Sequence, residues 1–496
     1  MSAVRSPLNP SCIAPISGRH RLNAGVRAAI IGLCLVALGL FLGRGPLALC
    51  VVAVVGTTGL VLLLLHPVMA LYLLAFSVPF GSLYELKLGA ITVGASELLV
   101  WALVTAWALR MMAFRRVRVA WTRLAGALLC YLGALVVSIW PATSLSPALK
   151  ELAKWVEFLL VYLFVASELG QTQSVALTSA LLLAGTIEGL LGIYQFLYQV
   201  GPPGFVLFGR YMRAYGTFLQ PNPFAGYMGL LLPLAYTTVF RRWKDVPSAF
   251  RRHAWGPALL WVLALVASVV MFAGLVMSWS RGALVGFLAG LALVGLGLGR
   301  RVAPALVGLA LVLVLLGPVW LGVLPESLIQ RLTDVLQYRS LSNLMSAEVT
   351  DDNFAVIERA AHWYAAWRMF EQRPWLGVGT GQYATVYPSV SLPRWQDPLG
   401  HAHNYYLNIL AEGGLVGLVT YLVFLLCALG ITWRSAAQGR GWQRVLALAA
   451  LGMLGHLLTH SAFDNLYVHE MYLLVAMLLS MAASAPRQQS IYSEVV

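Results

Sequence analysis

The chain has 496 residues, 60% hydrophobic and 10% charged, with a mean hydropathy of +0.79. That balance excludes an ordinary soluble domain, and continuous apolar runs of about 18 to 25 residues exclude the short alternating strands of a β-barrel. The net charge of +14 fits Arg-rich cytoplasmic loops in such a chain and not a nucleic-acid partner.

Taken in chain order, the residues before 26 are basic but lack a short apolar core with a small-residue cleavage site, so 26–43 reads as a retained first span. Further spans are predicted at 46–64, 67–80, 95–113, 122–140, 151–168, 174–199, 223–240, 256–276, 281–298, 302–320, 414–432, 443–460 and 466–483. The run 67–80 is short for a full crossing, which makes the total twelve to fourteen. Cys12, Cys34, Cys50, Cys130 and Cys427 are scattered and form no CxxC or Cys/His cluster, so neither a disulfide framework nor a zinc site is expected. With the N-terminus inside, 20 Lys and Arg fall on the inner side, seven in short outer segments and six in the long segment 323–403. Long loops are largely exempt from the charge rule, so the count argues for both termini inside and 323–403 outside.

The resulting division is a cytoplasmic tail over 1–25, a first bundle over 26–322, an extracytoplasmic subdomain over 323–403, a closing bundle over 404–483 and a second tail over 484–496. Within the subdomain, 354–370 has the period and aromatic weight of a helix lying on the membrane surface. The segment 384–400, with Pro388, Pro393 and Pro398, reads as loop.

Three short stretches share the outer side. In RAYGTFLQPNPFAGY (213–227), Asn222 followed by Pro223 is a helix-start signature. In SWSRGALVGF (278–287), Ser280 is placed to cap a helix opening at Arg281. In HAHNYYLNILAEGGLVGL (401–418), a short interfacial helix is expected to break at Gly413-Gly414 before the crossing begins. Helix N-termini offer unpaired N–H groups and partial positive charge, and guanidinium forks match phosphate oxygens, so Arg213 and Arg281 suggest an outward polyanion site.

Plainer roles exist for each group. A single Arg at a helix end commonly snorkels to headgroups, an interfacial His commonly anchors, and Arg359, Arg368 and Arg373 suit solvent or lipid phosphate. Glu188 is read as paired within the bundle to a neighbour such as Gln195, and Asp351-Asp352 as a flexible acidic pair without a metal.

ERAAHWYAAWRMFEQRPWLGVGTGQY (358–383) followed by HAHNYYLNILAEGGLVGLVTYL (401–422) resembles the O-antigen ligase, or Wzy-C, family, and the 216–227 and 278–287 stretches look like its earlier motifs. The resemblance implies an all-α, GT-C-like integral membrane glycosyltransferase with one long helical extracytoplasmic loop. It implies a polyprenyl-diphosphate-linked glycan as donor, a glycolipid or glycan acceptor, and the inner membrane of a bacterium with the site facing outward. Arg213 and Arg281 would hold the diphosphate and His403 would be the titratable group, with His401 two residues away as its rival. His401, Asn404, Tyr405, Asn222 and Arg359 are the expected substrate-binding residues, with no cofactor and no metal. Ligases, chain polymerases and protein O-glycosylating enzymes share these motifs. A transporter of lipid-linked glycans remains the rival class, although it would favour midplane charges and internal symmetry, and neither is visible.

Overall fold

The computed structural model describes residues 46–81, 85–88, 91–299 (apart from 116, 118, 208 and 243–254), 302–308, 310–311 and 353–483. The expected span 26–43, most of 302–320, the pair Asp351-Asp352 and both tails lie outside these residues.

The described architecture is helical. The helices are α1 (Leu47–Leu65), α2 (Val68–Phe80), α3 (Ala95–Ala113), α4 (Arg123–Val137), α5 (Leu145–Glu168), α6 (Gln171–Tyr198) and α7 (Pro221–Arg242). They continue as α8 (Trp255–Met277), α9 (Arg281–Leu298), α10 (Phe354–Gln372), α11 (Tyr383–Val386), α12 (Tyr405–Gln438), α13 (Gly441–His460) and α14 (Met471–Ala483). Two short antiparallel hairpins, β1 (Glu85–Leu88) with β2 (Ile91–Gly94) and β3 (Val206–Leu207) with β4 (Tyr211–Met212), punctuate the connections.

Six helices are long and apolar enough to cross a bilayer, or seven if Val54–Leu65 and Val68–Phe80 form one broken span. At 13 residues α2 is too short to cross alone, as its sequence suggests. The chain is therefore an all-α integral membrane protein. Its centre is α7, where 89% of the apolar window is buried, against 33% for α8, whose outer face is left for lipid. Where α9 and α13 cross, a Cβ on Gly290 would stand 2.6 Å from the Gly452 carbonyl oxygen, so small residues set the separation, as they do between membrane helices.

A second knot of packing is aromatic. Trp155 of α5 packs edge-on against Tyr131 of α4 with centroids 4.8 Å apart, and against Tyr467 at 4.9 Å. Tyr405 joins the cluster through Tyr467, also at 4.8 Å. Edge and tilted ring packing of this kind adds to the burial of large apolar area.

Helix α12 has 34 residues and carries non-helical angles at Gly414 (φ 60°, ψ −158°), so the break expected from Gly413-Gly414 is present. The turn at 374–383 fills it. Val378 N–H donates to Ala411 O, Gly379 N–H to Glu412 O, Leu415 N–H to Pro374 O and Val416 N–H to Trp375 O. Glu412 Oε1 accepts the Tyr383 amide at 2.8 Å. On its other side the turn meets the α4–α5 connection, where the Thr380 amide donates to Ser138 O and Gln382 Oε1 accepts from Thr143 and Ser144.

Candidate active site

The connections joining α6 to α7, α8 to α9 and α13 to α14, together with the segment before α12, meet at one end of the bundle. Arg213 lies just after β4. Its Nε donates to Ser278 O at 2.8 Å and its Nη2 to Asn222 Oδ1 at 3.0 Å. Helix α7 opens at Pro221, so Asn222 lies inside its first turn and not at the expected cap, and its side-chain carbonyl receives the Arg213 guanidinium. Helix α9 does open at Arg281, but the Ser280 side chain makes no capping bond. Ser278 Oγ accepts the Ser280 amide itself, at 3.2 Å.

The 401–404 segment carries the densest chemistry. Asn404 caps α12, its Oδ1 accepting the Leu407 amide at 3.1 Å. Tyr405, expected to bind substrate, is 2% exposed and belongs to the aromatic cluster. His401 and His403 both face Asp464, on the connection between α13 and α14. His403 Nδ1 stands 3.6 Å and His401 Nε2 3.8 Å from Asp464 Oδ1. His403 has a φ of 50°, a left-handed backbone that is uncommon for histidine and gathers at functional sites. Neither of its ring nitrogens has a hydrogen-bond partner among the described residues.

The two rings are not equivalent. The His403 amide donates to His401 Nδ1 at 3.1 Å. That bond occupies the Nδ1 lone pair, so the proton of neutral His401 sits on Nε2, pointing toward Asp464. Burial pushes His401 down to about 4. Burial alone would raise the Asp464 carboxyl, but the facing His403 and His401 rings and the Arg359 charge hold it well below the usual carboxylate range. The centre is therefore an ionised carboxylate between two imidazoles, one with its proton already placed.

Helix α10 closes the site. It buries Ile357, Ala361, His362 and Ala365, consistent with the predicted amphipathic period, and leaves Phe354 and Trp367 exposed. His362 Nδ1 lies 3.0 Å from Tyr383 Oη, and its ring meets His403 edge to face at 5.5 Å. Burial, then the neighbouring His403 and His401, push His362 down to about 4. Arg359, one turn earlier, acts electrostatically on Asp464 and His401.

His401, His403 and Arg359 thus converge on Asp464, whereas Arg213 binds both Asn222 and Ser278 O, three residues before Arg281. His460 links the two groups. Its carbonyl accepts the Asp464 amide, and its Cδ2 would stand 2.9 Å from a Cβ on Gly282. Glu188 and Gln195 are buried as expected but do not pair with each other, because both bind backbone of the 215–217 segment.

His401, His403 and Asp464 present ligand atoms within 4.8 Å of one another, a spacing that could hold a divalent cation. Ligation through His401 Nε2 would remove the proton from a ring whose Nδ1 already accepts a hydrogen bond. The set suits proton transfer better.

Asp464 was not singled out from the sequence. Its signal was positional: SAFDN (461–465) separates two apolar runs on the same side as 401–404, and Asp464 is its one acidic residue.

Fold and site together define a multi-pass helical membrane protein whose ionisable chemistry is gathered at one end of its helices. Residues 266–422 match the family model described as Wzy_C, O-antigen ligase, which bears out the family resemblance over that stretch. The match covers Arg281, Arg359, His401 and His403, while Arg213 and Asp464 lie beyond its limits. No curated protein matches the chain significantly.

Proposed function

We propose that the protein is a GT-C-like glycosyltransferase of the bacterial inner membrane, working on its outer face. It moves a glycan from a polyprenyl diphosphate to an acceptor hydroxyl such as a lipid A-core sugar. The observation that carries this reading is the Asp464–His403 pair beside Arg359, His401 and the start of α9, with His403, His401 and Arg359 inside the segment that matches the O-antigen ligase model. Outside the cytoplasm nucleotide sugars are absent, so the donor must carry its own leaving group, and a lipid diphosphate does so at the interface.

In the proposed step, His403 Nδ1–H points at Asp464 and Nε2 receives the proton of the acceptor hydroxyl. The acceptor oxygen forms a bond to the anomeric carbon as the bond to the diphosphate oxygen breaks. The electron pair leaves with the diphosphate, where Arg213, Arg281 and the helix start at Arg281 face the developing charge. Asp464 stabilises the imidazolium. A single displacement with one base inverts the anomeric centre.

The reading prefers His403 to His401 as base because the His401 Nδ1 is already occupied and its Nε2 is protonated. Asn404 and Tyr405 then support the site without touching substrate. His401 positions His403, and Arg359 and Asn222 act through Asp464 and Arg213.

Incubating the purified protein with a polyprenyl-diphosphate glycan and candidate acceptors tests this. One added unit per acceptor marks a ligase, and a size ladder marks a polymerase of the same family. Absence of any product with both sugar and protein acceptors overturns the assignment.

A further inference from the structure

The segment 212–217 is irregular backbone running down the face of α6, from Gln199 to Glu188, about 16 Å of helix at 1.5 Å per residue. Backbone of this kind inside a membrane protein is tolerated only where protein groups satisfy its amides. All six successive N–H groups are satisfied. Met212 donates to Gln199 Oε1 at 2.9 Å, Arg213 to Phe205 O at 3.0 Å and Ala214 to Met277 O at 3.0 Å. Tyr215 and Gly216 both donate to Gln195 Oε1, at 3.1 and 2.7 Å, and Thr217 donates to Glu188 Oε1 at 2.7 Å.

Gln195 also donates back from Nε2 to Gly216 O at 2.9 Å, so its amide grips that peptide from both sides. Thr217 Oγ1 binds Glu188 Oε2 at 3.1 Å and also Pro79 O. Glu188 and Gln195 are seven residues apart, which places both on one stripe of the helix, and Gln199 follows as its left-handed C-cap. Gly216 has a φ of 57°, and a Cβ there would overlap the Glu188 carboxyl, so the fit is specific to glycine.

We infer that this stripe of α6 and its C-cap are a positioning device: Gln195, with Glu188 and the C-cap Gln199, fixes the backbone that presents Arg213 to the donor's diphosphate. The inference rests on the proposed role of Arg213. A guanidinium held by Ser278 and Asn222 at one end needs a fixed Cα at the other, and the stripe supplies it.

The test uses full-length protein in nanodiscs, undecaprenyl diphosphate as probe, and Gln195→Met, which keeps the shape and removes the polar contacts. Affinity should fall about tenfold, the scale of losing a small set of buried hydrogen bonds. In an Arg213→Ala background, Gln195→Met should change affinity no further, because a residue acting through Arg213 has nothing left to position. Hydrogen exchange at Tyr215 and Gly216 should quicken. Ser174→Ala, which removes the Trp442 bond near the opposite end of α6, should leave probe binding unchanged.

Equal losses with and without Arg213, or unchanged exchange at 215–216, overturn the inference. If Arg213→Ala binds the probe normally while Gln195→Met quickens exchange, the donor-site role of Arg213 fails and the grip on the backbone stands.

Discussion

Gly216 and His403 share one backbone conformation, with φ of 57° and 50°, and they differ in what surrounds it. Around Gly216 every amide from 212 to 217 has an acceptor. Around His403 the ring nitrogens have no hydrogen bond among the described residues, and the Asp464 carboxylate stands 3.6 Å away. The left-handed region suits glycine, whereas a Cβ there costs roughly 1 to 2 kcal/mol. The first segment uses the conformation to be held, and the second sustains its cost to aim a side chain at Asp464.

The strongest way to break this comparison is His403→Ala. It should lower transfer by about 10² to 10⁴ while the protein stays folded and binds lipid diphosphate, since only proton acceptance is lost. Full turnover in a steady-state assay would remove His403 from the mechanism. Gly216→Ala attacks the other member. It should destabilise by roughly 2 to 4 kcal/mol, through a strained φ and overlap with Glu188, and should lower the melting temperature in detergent. His403→Gly at the equivalent backbone angle should raise stability slightly.

His401→Ala sharpens the division between the two histidines. A loss of about tenfold is expected, because His401 only holds the His403 amide and faces Asp464. If it proves the inactive variant, the base is His401.

The pH dependence is smaller still. His401 and His362 sit near 4 in the fold against 6.5 in a free chain, so the fold favours their neutral forms. That stabilisation is complete above about pH 6.5 and is lost as pH falls toward 4. Melting temperature should decline across that window, and His401→Gln with His362→Gln should flatten the decline. The smallest effect is set for a chelator. EDTA should change the transfer rate by less than about twofold, because the His401 tautomer disfavours a cation; a large loss restored by zinc would replace the Asp–His reading with a metal centre.

Much of this was legible in the sequence for simple physical reasons. Apolar length located α3 over 95–113 and α9 from Arg281, because a bilayer imposes span length directly. Gly413-Gly414 announced the break in α12 because few other residues adopt the angles seen at Gly414. What stayed hidden depended on distant partners. Asp464 lies some sixty residues from His403, and nothing local marks it as the carboxylate between two imidazoles. Glu188 and Gln195 looked like partners because they share a helix face, yet each satisfies backbone of an irregular segment that periodicity does not describe. Ser280 fits the preferred cap chemistry, but its side chain makes no capping bond.

The break at Gly414 has a mechanical consequence. The 374–383 turn is stitched to both sides of it and, through Thr380 and Gln382, to the connection between α4 and α5. A segment fastened along two edges is a fixed wall, not a door. The doorway for a long lipid-borne chain is then to be sought along the flanks of the bundle, where α8 leaves two-thirds of its apolar window to the hydrocarbon.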